Sequence, residues 1–220
     1  MFNIAIDGHV GSGKSTLAHE LAKRLNFKVL DTGAIYRGIA CFYLKQNLPT
    51  PTEEIINDFV NKITVKVEFI DNLQHVIVND IDFTSDLRFE RTSMMASMIS
   101  PFPNLRKKVL AIQRSFAEKY NCVIEGRDIG TVVLPDAKVK LFITASELVR
   151  ANRRYQQIKD KKDSPSYQEI LEDLRARDYK DMNRKVAPLK PAEDSIIIDT
   201  SDMNLFQTVD YCEKIIRSKM

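Results

Sequence analysis

Residues 8–15 read Gly-His-Val-Gly-Ser-Gly-Lys-Ser, directly after the short apolar run Ile4-Ala5-Ile6 and its acid, Asp7. The spacing Gly8-x4-Gly13-Lys14-Ser15 suits the holding of phosphate. Glycines let successive backbone N–H groups turn inward around phosphate oxygens. A helix that starts near Ser15 aims its unsatisfied N–H groups and its positive dipole end at the same anion. Lys14 supplies a point charge for the β- and γ-phosphates, and the Ser15 hydroxyl is a ligand for Mg²⁺. The candidate triphosphate-binding residues are therefore Gly8, His9, Val10, Gly11, Ser12, Gly13, Lys14, Ser15 and Thr16.

Such a loop does not name a reaction, because GTPases, helicases, transporters and small-molecule kinases share it. A guanine-reading NKxD segment is absent, as is an apolar strand ending in Asp-Glu of the kind motor ATPases carry. A kinase for a small acceptor remains. Where that acceptor is itself a phosphate, guanidinium groups must gather to neutralise it. Arg37 follows Asp31-Thr32-Gly33, and Arg127-Asp128 follows Glu125-Gly126. Both arginines stand at expected strand ends beside glycines, which favours function over a solvated surface. Arg106 follows Phe102-Pro103, Arg150, Arg153 and Arg154 fall on one expected helix, and Arg177 and Arg184 fall on another.

The elements that must position these groups are readable as well. Residues 3–7, 28–31, 122–125, 139–144 and 195–199 are short, β-branched and apolar, with little alternation. That pattern suits parallel strands covered by helices on both faces. After the loop, Leu17, Leu21 and Leu25 recur with helical period. Residues 63–69 alternate instead, and with 75–79 and 81–83 they read as a small antiparallel sheet turning at 71–72. The run 159–163 reads as a solvated, mobile link. The chain has only seven glycines, and all lie in three clusters just beyond expected strands. In an open α/β sheet that is the edge where ligands bind.

Composition narrows the classes further. A net charge of +3 in 220 residues gives no basic field for nucleic acid, and no aromatic-studded basic stripe appears. Cys41, Cys122 and Cys212 are far apart, which argues for buried small residues in a reducing compartment rather than a zinc site. No apolar run approaches the roughly 18 residues of a membrane span, and no signal-type leader is seen. The expectation is a cytoplasmic protein without membrane or nucleic-acid partners. A monomer is expected too, since no exposed apolar stripe stands out.

Four segments in order carry a resemblance: IDGHVGSGKS, LDTGAIYR, EGRDIGTVVLPDA and RDYKDMNRKVAPL. Together they resemble the bacterial cytidylate kinases, of the nucleoside monophosphate kinase family, over residues 3–215. The resemblance implies an α/β phosphate-loop kinase fold with five parallel strands in the order 2-3-1-4-5, helices on both faces, a small inserted antiparallel sheet and a lid. It implies one kinase domain over 1–220, with the inserted monophosphate-binding sheet at 62–86 and the lid region at 153–185. The eukaryotic UMP-CMP kinases lack that inserted sheet. It implies Mg²⁺-dependent transfer of the γ-phosphoryl group of ATP to CMP or dCMP. Thr32, Ser97, Arg106 and Asp128 would lie around the cytosine. Arg37, Arg127 and Arg184 would hold the acceptor phosphate, and Arg177 and Asp181 would reach the sugar. Arg153 and Arg154 would close over the donor phosphates. With Lys14, the residues expected at the reacting phosphates are Arg127, Arg153, Arg154 and Arg184.

Two positions depart from the family pattern. His9 stands where proline is usual, and Glu125 stands where aspartate is usual. Glu125 would hold Mg²⁺ through water, beside Ser15, with a geometry altered by its longer side chain. Two rivals stand beside this reading. One is a kinase of the same fold acting on UMP, AMP or a small metabolite. The other is a nucleotide-binding regulatory module without turnover, for which so many arginines around a second phosphate would have no purpose.

Overall fold

The computed structural model describes residues 1–71, 73–160 and 164–220. The chain divides into two compact units, Met1–Val29 with Tyr120–Met220, and Leu30–Lys119.

In the first unit, β1 (Asn3–Gly8), β6 (Cys122–Glu125), β7 (Val139–Thr144) and β8 (Ile196–Asp199) run parallel. With β2 (Lys28–Asp31), which spans the division between the units, they form a five-stranded sheet in the order β2-β6-β1-β7-β8. Taken in chain order the five strands follow 2-3-1-4-5, as the resemblance implied. The central strand β1 pairs with β6 from Asn3↔Cys122 to Ile6↔Glu125, and with β7 from Ile4↔Val139 to Gly8↔Ile143. Ile4, Ala5, Ile6, Val123 and Ile124 have no exposure, as unbroken apolar runs require of strands covered on both faces.

Helices α1 (Lys14–Leu25) and α8 (Leu205–Arg217) bury Leu17, Leu21, Val209 and Cys212 in one core with Ile6, Leu141 and Ile198. Helices α6 (Glu147–Ile158) and α7 (Tyr167–Asn183) pack on each other through Ala151, Ile158, Ile170, Leu171 and Leu174. The expected mobile run 159–163 falls partly outside the described residues, at 161–163.

The second unit holds α2 (Thr32–Lys45), α3 (Glu53–Lys62), α4 (Glu90–Ile99), α5 (Pro103–Lys119) and the antiparallel sheet of β3 (Val65–Ile70), β4 (Leu73–Val78) and β5 (Ile81–Asp82). The register Val65↔Val78 to Ile70↔Leu73 confirms the inserted hairpin. Its expected turn includes residue 72, outside the described residues. The first strand starts two residues later than expected because Ile63 closes α3 and the Thr64 amide donates to Asn79 Oδ1 at 2.7 Å. Tyr43 and Phe59 meet edge to face at 5.0 Å, and Phe69 stacks on Phe116 at 5.4 Å.

Two sequence readings change. Gly38 serves packing within the second unit. It lets α2 lie on β4, where an added Cβ would come within 2.3 Å of Val76 Cγ1. Arg184 is not helical. It follows the last residue of α7 with extended ψ, and its Nε donates to the Ala187 carbonyl at 2.6 Å, which turns the chain away. The three cysteines are buried free thiols, and burial pushes Cys122 and Cys212 up to about 12. Among the described residues, no helix is long and apolar enough to cross a membrane.

Candidate active site

The loop between β1 and α1 is built for close backbone approach. Gly8, Gly11 and Gly13 take φ of +146°, +73° and +91°. At Gly8 any Cβ would lie 1.9 Å from the Ile143 carbonyl oxygen of the neighbouring strand, so only glycine fits. The start of α1 differs from most other helices of the chain. Side chains cap α2 (Asp31), α3 (Thr52), α6 (Ser146), α7 (Ser166) and α8 (Asn204). At α1 the cap is Gly13, with no side-chain hydrogen bond and no acid in the first turn. Its amide groups and dipole are left for an external anion.

Lys14 is buried behind this loop, donating to the His9 carbonyl at 2.7 Å and to Ser12 Oγ at 3.4 Å. Burial, and then the nearby Arg127 charge, pull its pKa down to about 7. Glu125 and Asp7 oppose that shift. The ammonium therefore sits with neutral oxygen partners where a polyphosphate would satisfy it. The His9 ring turns aside. It contacts Thr144 Oγ1 at 3.4 Å and meets Phe142 edge-on at 5.7 Å, and burial lowers its pKa.

Ser15 Oγ donates to Glu125 Oε1 at 2.6 Å. The two residues expected to serve Mg²⁺ thus meet, although 110 positions separate them. The longer Glu125 side chain reaches from the end of β6 without distortion of the strand register. A hydroxyl and a carboxylate are the hard oxygen donors that Mg²⁺ prefers, so the pair fits that ion. Beside them lies a group the sequence did not flag. Asp7, at the end of β1, accepts from the Ile129 amide at 2.8 Å and the Gly130 amide at 2.7 Å. Burial pushes its pKa up to about 6, against the pull of those two amides. Asp7 thereby pins the short helical turn at Ile129–Val133, directly after Arg127 and Asp128.

Arg127 and Arg184 are each held by a carboxylate. Arg127 Nε donates to Asp181 Oδ2 at 2.8 Å, and Arg184 Nη2 to Asp128 Oδ1 at 3.2 Å. Asp181 comes from α7 and Arg184 from the chain just after it, so the RDYKDMNR segment is brought to the EGRD segment as their shared chemistry demands. Arg153 faces elsewhere. Its guanidinium donates to the Thr200 carbonyl at 2.6 Å and to the Met203 carbonyl at 3.3 Å. Arg154 is exposed, and Arg177 pairs with Asp173 one turn back at 3.5 Å.

The remaining candidates belong to the second unit. Thr32 is buried in the first turn of α2. Arg37, a turn further, pairs with Asp31 at 2.7 Å. Asp31 also caps α2 through the Ala34 amide at 2.8 Å, so one carboxylate fixes both the helix and the arginine. Ser97 is half-buried on α4. Arg106, on α5, donates to the Ser100 carbonyl at 3.3 Å.

Comparison with known proteins sets this site in a family. The model of the family described as cytidylate kinase matches residues 4–218. A cytidylate kinase of Carboxydothermus hydrogenoformans is 40% identical over 216 residues, covering 98% of this chain and 97% of its own. One of Caldanaerobacter subterraneus subsp. tengcongensis is 41% identical over 214 residues, covering 97% and 94%. Among solved structures, an uncharacterized protein from Eubacterium ventriosum shares the fold, with a TM-score of 0.56 at 15% identity over 99% of both chains.

Proposed function

This chain belongs to the cytidylate kinase family, and from that premise we propose that it phosphorylates CMP and dCMP with ATP, giving CDP or dCDP and ADP. The observation that carries the reading is the joining, within one unit, of a triphosphate loop to a second set of anion-binding groups. Arg127 is close enough to Lys14 to depress its pKa, and Arg127 and Arg184 wait on exchangeable carboxylate partners. A nucleotide-binding module without an acceptor has no use for that second set.

In the reaction an ionised oxygen of the acceptor phosphate attacks the γ-phosphorus of ATP. The bond from the γ-phosphorus to the β–γ bridging oxygen breaks, and ADP leaves with that electron pair. The nucleophile is already deprotonated, so no general base is needed. Catalysis is positioning and charge neutralisation. Loop amides and Lys14 bind the donor phosphates. Ser15, and Glu125 through water, would hold Mg²⁺, which would supply charge neutralisation and orientation of the phosphates. Arg37, Arg127 and Arg184 hold the acceptor phosphate, and Arg177 and Asp181 take the sugar. Thr32, Ser97, Arg106 and Asp128 read the cytosine. A carboxylate that accepts from the exocyclic amino group rejects uracil, which offers a carbonyl there.

Residues 62–86 serve the monophosphate side, and 153–185, with Arg153 and Arg154, act as a lid that excludes water. The protein works in the cytoplasm as a monomer, without nucleic-acid or membrane partners. The test is ADP release from Mg²⁺-ATP with CMP, dCMP, UMP, AMP, GMP or no acceptor. Strong turnover with CMP and dCMP alone is expected. Preference for another monophosphate would overturn the assignment of Asp128 and Arg106 as base readers. Release without any acceptor would overturn the kinase reading.

A further inference from the structure

The polar groups that hold the phosphate loop from outside are not among those that touch phosphate. Arg150 on α6 and Asp178 on α7 form a buried ion pair at 2.6 Å, with relative exposures of 3% and 7%. Both also bond the backbone of one loop residue, Val10. Its amide donates to Asp178 Oδ1 at 3.1 Å, and its carbonyl accepts from Arg150 Nη1 at 2.8 Å. Arg150 is itself fixed by Nε donating to the Ala145 carbonyl at 3.0 Å. The Val10 side chain packs on the α6–α7 core of Ala151, Ile170 and Leu174. Gly11, at φ +73°, lies over Arg150 and Leu174, where even a Cβ would be in contact at 3.5–3.6 Å.

A loop whose glycines occupy rarely populated backbone regions has many alternatives of similar energy. Something must select the one in which the amides face the ligand. We infer that Arg150 and Asp178 are positioning residues that clamp both polar groups of Val10, and so hold the loop ready for the triphosphate of the donor nucleotide. The same pair joins α6 to α7, so the loop and the helices bearing Arg153, Arg154, Arg177 and Asp181 share one fixed reference. A buried ion pair is often replaceable by apolar residues without loss of stability. Two charged groups converging on the backbone of one residue have a geometric use that methyl groups cannot copy. The role deepens the kinase reading and rests on it only for turnover, since nucleotide binding is measurable alone.

The test therefore separates clamp from filler. The double variant Arg150→Met with Asp178→Leu replaces the pair by side chains of similar volume. It is expected to melt near the parent temperature, yet to bind Mg²⁺-ATP on the order of tenfold or more weakly by calorimetry. The KM for CMP at saturating ATP should stay within about twofold. Parent-like ATP affinity in this variant overturns the inference. So does a parallel rise of both nucleotide constants, which would mark general loosening. Should the double variant fail to fold, Asp178→Asn decides. It keeps an oxygen for the Val10 amide but removes the charge that orients Arg150, and weaker ATP binding by several-fold is expected. Unchanged ATP affinity there overturns the inference equally. If ATP binding weakens as expected but no monophosphate is phosphorylated by the parent, the clamp stands and the kinase reading falls.

Discussion

The two regions of the first unit proposed to bind phosphate keep their cations in different ways. At the donor loop, Lys14 is buried against a carbonyl and a hydroxyl, with a pKa drawn down to about 7. At the expected acceptor side, Arg127 and Arg184 each rest on a carboxylate, Asp181 and Asp128. The first region stores its deficit as a proton ready to leave, the second as an ion pair ready to be exchanged. Lysine suits the first role because its protonation responds to burial, whereas arginine stays charged throughout. The donor site should thus respond to pH, and the acceptor site to the loss of a carboxylate.

The contrast is sharpest where the cations are removed. Lys14→Met should lower kcat on the order of 10³-fold, since charge stabilisation at the transferring phosphoryl group goes with it. Arg127→Met should reduce kcat/KM for CMP by about 10²-fold while direct ATP binding changes by about threefold or less. Equal losses in both measurements would erase the distinction between the two regions. Asp128→Ala follows the same logic on the base side, and its effect should again fall on CMP turnover rather than on ATP binding.

The pH response is next in size. Below pH 7 Lys14 is already charged in the free protein, and ATP affinity should be flat with respect to this group. Above pH 7 the free lysine is mostly neutral, so binding a triphosphate must draw a proton from solution. Affinity should then fall by up to about tenfold per pH unit. Calorimetry at pH 8 in buffers of different ionisation enthalpy should show uptake approaching one proton per ATP. An uptake of zero would mean that Lys14 is charged before the ligand arrives, as the arginines are. The smallest effect belongs to the second unit. Asp31→Asn loosens the half-exposed Arg37 and should raise the KM for CMP about twofold, with a stability change under about 1 kcal/mol. A larger shift in melting temperature would show that the cap on α2, not the arginine, is what Asp31 serves.

Much of this was legible in the sequence for local reasons. The strand–loop–helix context of Gly8 to Ser15 is contiguous, and the five apolar runs and the alternating hairpin carry their own periodicity. Helix α4, with Met94, Ser97 and Met98 mixed along it, offers no such signal. The tethers were missed for a different reason. Asp7 reaches residues 122 and 123 positions away, and Val10 reaches Asp178 across 168. No spacing rule links them, and each is an ordinary charged residue until the sheet closes. A hint existed in both cases. A carboxylate that ends a buried central strand must find donors, and the Arg177-Asp178 dipeptide puts its acid on the inward face of an amphipathic helix. The sequence spacing of Arg184 continues α7, whereas its extended backbone and its bond to the Ala187 carbonyl lie beyond the helix end.

The division of the chain has a consequence for biosynthesis. The second unit is one contiguous stretch, Leu30–Lys119, while the first is interrupted by it. The central strand β1 is synthesised before its partner β6, and Cys122 lies 119 residues behind Asn3. At elongation rates of about 5–20 residues per second that is a delay of about six seconds or more. During it the apolar residues Ile4, Ala5 and Ile6 have no sheet to enter, while the inserted unit already has its whole sequence. The order of synthesis thus completes the interrupting segment before the strands and helices that support the nucleotide loop.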